Sequence, residues 1–193
     1  MAVILDEISK AFGEKTVLSK FSARFDLGQS YCIMGTSGCG KTTLLHIIMG
    51  IIIPDSGRVS GTENHKLSPV FQEHRLCENL SVGANIRMVC SKTDSAKIAE
   101  TLEAIGLAGN IHTPVSELSG GMKRRVAIAR AICSEGEILI MDEPFKGLDN
   151  ATKEKVMAYT REKSHGKTVI WVTHDEREAE IWGGAIFNLP VNI

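Results

Sequence analysis

No stretch of this chain stays apolar long enough to cross a bilayer. The longest such run, Leu44 to Ile53, is interrupted by His46 and Gly50, and a spanning helix needs about 20 residues. Neither sign of charge is in excess. With 22 basic and 23 acidic residues the net charge is -1, which excludes a nucleic-acid-binding polycation. The five cysteines (Cys32, Cys39, Cys77, Cys90, Cys133) are odd in number, scattered and without CxxC spacing. Reduced thiols are therefore expected, rather than a disulfide framework or a zinc site. The N-terminus lacks the basic start and apolar stretch of a signal peptide, so a cytoplasmic location is expected. No internal repeat or low-complexity tract is found. What the chain does have is 43% hydrophobic and 23% charged residues over 193 positions. That is enough for one folded domain with a proper core, carrying at most a small insert.

Two β-rich stretches, Ala2–Ile8 and Thr16–Phe25, flank a turn at Gly13-Glu14 and read as antiparallel strands. Ser30–Met34 is a short apolar strand broken by glycines, and Lys41–Met49 follows as a helix ended by Gly50 and Pro54. Lys66–Gln72 is another candidate strand. From Glu73 to Glu117 apolar residues fall at helical spacing (Ile98, Leu102, Ile105), with Gly106 as a C-cap, which predicts a small helical insert. The pattern then alternates: helix Met122–Cys133, strand Ile138–Met141, helix Ala151–His165, strand Thr168–Val172 and a last strand at Ala185–Leu189. The expected fold is α/β, with a mostly parallel sheet and an N-terminal antiparallel β part. It forms a single domain, with 1–72 and 118–193 as the core and 73–117 as the helical subdomain.

Residues 35–42 read GTSGCGKT, which satisfies G-x-x-x-x-G-K-[ST]. Gly35, Gly38 and Gly40 let the backbone curl so that successive N–H groups face phosphate oxygens, and the helix starting at Lys41 adds its positive end. Thr36, Ser37, Cys39 and Thr43 complete the loop. Lys41 can reach the β- and γ-phosphates, and the Thr42 hydroxyl can coordinate Mg²⁺. The pattern arises by chance in roughly one in a hundred chains of this length, and the preceding strand and following helix supply its required context. Far downstream, Ile138–Met141 delivers Asp142 and Glu143 to a strand's C-terminal end, where α/β ligands bind. Asp142 is the candidate Mg²⁺ residue, and Glu143 the candidate that polarises the attacking water.

Leu118-Ser119-Gly120-Gly121, followed by MKRRVAIARAI, resembles the signature motif of ABC ATPases. Gln72 in VFQE resembles that family's Q-loop, which also contributes to the metal. Pro144 and Gly147-Leu148-Asp149 resemble its D-loop turn, His174 in VTHD its switch histidine, and Phe12 in KAFG its adenine-stacking aromatic. The resemblance implies a P-loop NTPase fold and an enzyme that hydrolyses ATP with Mg²⁺ as the motor of a membrane transporter. The cup at Ser119, Gly120 and Gly121 then closes over ATP held by a second subunit, so a homodimer is implied. Membrane permease subunits are further implied partners, holding the chain to the inner face of the membrane. An importer adds a solute-binding protein, and no nucleic acid is implied. VFQEHRL and EPFKGLD are most similar to importer subunits for nitrate, sulfonate and taurine. An exporter or lipoprotein-release ATPase stands second, and a soluble ABC ATPase acting on ribosomes or DNA third.

Met122 stands where the family usually has Gln, so a contact near the opposing nucleotide is expected to be missing. The sequence ends 19 residues after His174, and no regulatory C-terminal domain is expected. His46, His65, His74, His112 and His165 read as surface or satisfied residues, and Lys123-Arg124-Arg125 as a solvated helix face. Leu76 and Leu80 either belong to a permease-docking groove over Glu73–Leu80 or pack inside the insert.

Overall fold

A computed structural model describes residues 1–90 and 95–190; residues 91–94 of the expected helical insert lie outside the described residues. In chain order the strands are β1 (Ala2–Phe12), β2 (Lys15–Asp26), β3 (Ser30–Met34), β4 (Ser56–Ser60), β5 (Leu67–Val70), β6 (Ile138–Asp142), β7 (Thr168–Val172) and β8 (Ala185–Asn188). The helices are α1 (Lys41–Ile48), α2 (Val82–Arg87), α3 (Ser95–Ala104), α4 (Gly120–Cys133), α5 (Asn150–Lys163) and α6 (Glu176–Trp182).

β1 and β2 form an antiparallel hairpin closing at Phe12↔Lys15, with Gly13 at φ 60 turning the corner. β4 adds to the other side of β1. Sequence patterning shows no strand at β4, because SGRVS is short and mostly exposed. The second sheet, in the order β5-β6-β7-β3-β8, is parallel at every pairing. The fold is thus α/β, with the antiparallel part that the N-terminal alternation predicts.

Side-chain alternation on this parallel sheet divides the interior in two. Leu139 and Met141 of β6, Val169 and Trp171 of β7, and Cys32 of β3 face one core with helices α2 to α6. Ile138, Ile140, Ile170, Val172, Tyr31 and Ile33 face the other, with α1 and the hairpin. This is why ILIM and VIWV are apolar without a break: both faces are covered. Trp171 packs on Trp182 and Phe145 with ring centroids 5.2 and 6.2 Å apart. Burying each such ring contributes roughly 4–6 kcal/mol as an upper bound.

α3 stops as its sequence predicts. Gly106 (φ 73) donates to Glu103 O at 3.0 Å and Leu107 to Leu102 O at 2.7 Å, a pattern that satisfies the helix's last carbonyls. The reading of Lys123-Arg124-Arg125 as a solvated face is corrected. Arg124 is 5% exposed, and its guanidinium donates to Phe71 O at 2.7 Å and to Gln72 O at 2.5 Å. Arg125 donates to Ile105 O and Gly106 O, and Arg130 to Arg75 O and His74 O. The physical reason is that these stretches place their carbonyls against α4, and buried acceptors require donors. Lys123, with its side chain 18% exposed, reaches outward to pair with Glu78, 61% exposed.

Candidate nucleotide site

The chain leaves β3 at Met34 and curls through residues 35–40 into α1. Gly40 sits at φ 103 as the residue preceding α1, and a Cβ there would lie 2.6 Å from Val17 Cγ1. Left-handed backbone and close approach together leave room for glycine alone. Lys41, 7% exposed, donates from Nζ to Gly35 O at 2.7 Å and Thr36 O at 2.8 Å. These carbonyls satisfy a buried ammonium and hold it inside the loop's curve. Gly35, Thr36, Ser37, Gly38, Gly40, Lys41, Thr42 and Thr43 all line one cleft of about 820 Å³. Cys39 does not: its side chain is buried in the core behind the loop.

β6 brings its carboxylates to the opposite wall of the same cleft. Asp142 is 4% exposed and accepts a hydrogen bond from the Thr42 hydroxyl. Burial raises its pKa, the Thr42 bond works against that, and the neighbouring Glu143 charge adds to the rise. Its Oδ2 is buried without a hydrogen-bond partner. Among the described residues no cluster of three or more His, Cys, Asp or Glu could hold a metal. The donors here are instead one carboxylate, the Thr42 hydroxyl and the Gln72 amide. Such an all-oxygen set, with one carboxylate oxygen unpartnered, fits Mg²⁺ completing its shell with phosphate and water.

Glu143 has φ 44, a strained setting for a side-chain-bearing residue. Its N–H donates to Val172 O at 3.0 Å, and the buried Pro144 and Phe145 follow it. Its Oε1 lies 2.9 Å from His174 Nδ1, and its Oε2 accepts from Lys146 Nζ at 2.5 Å. Burial pushes its pKa up, but the Lys146 and His174 hydrogen bonds outweigh that and leave it below the usual carboxylate range. Lys146 was not found from the sequence. The available signal was a cation three positions after the candidate base.

Gln72 and His174 line the cleft, and Phe12 stands at its edge with 52% of its surface exposed. The remaining candidates lie elsewhere. Ser119 caps α4 by accepting from Met122 N at 3.3 Å, and it and Gly120 are exposed. A Cβ on Gly120 would meet nothing within 4 Å, so this helix start opens outward. Asp149 caps α5 by accepting from Thr152 N at 3.0 Å. Met122 packs against the core that includes Trp171. His65 lies 2.7 Å from Glu137, whereas His74 Nδ1 is buried without a partner. Leu76 packs on the core and Leu80 is 41% exposed.

Among known proteins, the chain is 34% identical over 93% of its length to the sulfate/thiosulfate import ATP-binding protein CysA of Gloeobacter violaceus, covering 57% of that protein. It is 36% identical over 89% of its length to the spermidine/putrescine import ATP-binding protein PotA of Bacteroides fragilis, covering 41% of it. The chain thus spans about half the length of the curated relatives it matches. Its fold is similar to the dimeric structure of MJ0796, a bacterial ABC transporter cassette, with TM-score 0.86 and 29% identity over 97% of this chain and 94% of that one. A post-hydrolysis structure of the same cassette, bound to ADP and Pi, gives 0.85 and 31% over the same shares. The model of the family described as ABC transporter matches residues 18–146, and with the phosphate loop and the carboxylate pair meeting in one cleft, the chain belongs to the ABC transporter family.

Proposed function

We propose that the chain is the ATP-hydrolysing motor subunit of a small-solute importer. The observation that carries this reading is the convergence on one cleft of the loop around Lys41, the unpartnered Asp142 oxygen and the doubly held Glu143. ATP enters with its phosphates against the loop N–H groups and Lys41, and Phe12 stacks on the adenine. Thr42, Asp142 and Gln72 would hold Mg²⁺, which draws charge from the phosphate oxygens. Glu143 orients a water and accepts its proton as the water oxygen bonds to the γ-phosphorus. The bond to the β–γ bridging oxygen breaks, giving ADP and inorganic phosphate. His174, on Glu143 Oε1, faces the terminal phosphate and registers its departure.

The outward-facing Ser119 and Gly120, distant from the chain's own cleft, are proposed to cover ATP held by a second copy, with Gly121 and Asp149 beside them. ATP then joins a homodimer, and hydrolysis releases it. Permease subunits would hold the dimer at the cytoplasmic face of the membrane, with a solute-binding protein feeding them. Import rests on the names of the relatives, which handle sulfate or thiosulfate and spermidine or putrescine. These names do not single out the nitrate, sulfonate or taurine class suggested by VFQEHRL and EPFKGLD. An ATP titration of wild type against Lys41→Ala tests the site. Binding should be lost in the variant, and equal affinity would overturn the assignment.

A further inference from the structure

We propose that Lys146 is a positioning residue for hydrolysis, holding the Glu143 carboxylate against the negative charge around it; this rests on the function proposed above. Lys146, three residues after Glu143, places its Nζ on the Glu143 Oε2, and both residues line the cleft. The carboxylate's other grip is His174, whose side chain is 60% exposed and lies beyond the end of β7. It belongs to a segment separate from the turn that carries Glu143. Lys146 is anchored differently. Its N–H donates to Glu143 O at 3.2 Å, and Leu148 N–H donates to Phe145 O at 3.3 Å. Phe145, just before it, is wholly buried among Trp171 and Trp182. The base and its cation are therefore carried on one tight turn, so their backbone spacing does not depend on the histidine.

A held carboxylate matters here because its neighbours are anionic. Asp142 precedes it, and a nucleotide would bring several phosphate charges into the same cleft. Without a fixed cation, repulsion turns the Glu143 side chain away from the attacking water. With Lys146 on Oε2, Oε1 remains to accept the proton. The role is to fix the geometry of the base, so it affects turnover rather than nucleotide affinity.

Lys146→Met and Lys146→Arg in the full chain, assayed with Mg²⁺ and ATP at saturating and limiting concentrations, test this. The Met variant should lose between about tenfold and a hundredfold in kcat with KM within about twofold. The Arg variant should recover most of that loss. The side chain is half exposed, so folding should persist; should Met fail to fold, Lys146→Gln is assayed in its place with the same expectation. An unchanged or increased kcat, or a loss carried entirely by KM, overturns the positioning role while leaving the proposed ATPase intact. A wild-type chain that neither binds nor hydrolyses ATP overturns the functional reading instead.

Discussion

Replacing Arg124 with methionine removes a guanidinium that holds two consecutive carbonyls of the segment carrying Gln72. The side chain is 5% exposed, with Nη1 2.7 Å from Phe71 O and Nη2 2.5 Å from Gln72 O. Hydrogen bonds from a charged donor contribute about 1.5–3 kcal/mol each, so the pair is worth roughly 3–6 kcal/mol. Two effects work against that loss. Methionine avoids burying a charge, and Arg124 Nε is already without a partner, a defect costing about 1–3 kcal/mol. The difference spans about 0–5 kcal/mol and centres on about 2–3 kcal/mol, a fall in Tm of about 4–12 °C for a chain of this size. Urea unfolding with matched m-values measures it. Lys123→Met is the control, because its partner Glu78 is 61% exposed and such surface pairs contribute about 1 kcal/mol or less. Stability of Arg124→Met within about 0.5 kcal/mol of wild type would refute the claim that α4 splints this segment.

Gly40→Ala combines φ 103 with a 2.6 Å approach to Val17; it should cost at least about 1–3 kcal/mol and weaken ATP binding, and unchanged affinity by calorimetry would count against the loop geometry. Leu76→Glu should destabilise the fold by about 2–5 kcal/mol, since Leu76 packs on the core. Leu80→Glu should stay folded, retain ATPase activity and fail to co-purify with the permease; normal co-purification would remove Leu80 from the docking face. Ser119→Arg should abolish an ATP-dependent dimer in sedimentation, and a dimer as strong as its parent's would place the Ser119 cup elsewhere.

The loop at residues 35–42 was legible because curling backbone N–H groups inward needs left-handed turns, which glycine at fixed spacing supplies (Gly38 at φ 79, Gly40 at φ 103). Strands β3, β6 and β7 were legible because burial on both faces requires unbroken apolar runs. Other features depended on partners far along the chain. Arg124 meets acceptors 53 and 52 residues earlier, so local composition made a buried clamp look like a solvated face. Lys146 drew no reading, because nothing in EPFKGLD by itself shows that it faces the Glu143 carboxylate. Helix α6 was missed among polar residues, although it buries Glu178, Ala179 and Trp182. Its start was marked: Asp175 caps the N–H groups of Arg177 and Glu178. Met122 reads as a lost polar contact, and the fold packs it against the apolar core.

The central claim is that Glu143 performs chemistry while Lys41 and its loop bind. Glu143→Gln keeps the size of the side chain and removes its ability to accept a proton. ATP affinity and hydrolysis by this variant should therefore separate, with Kd for ATP within about threefold of wild type and turnover reduced by about 10²–10⁴-fold. Turnover equal to wild type, or loss of ATP binding together with turnover, would contradict the account.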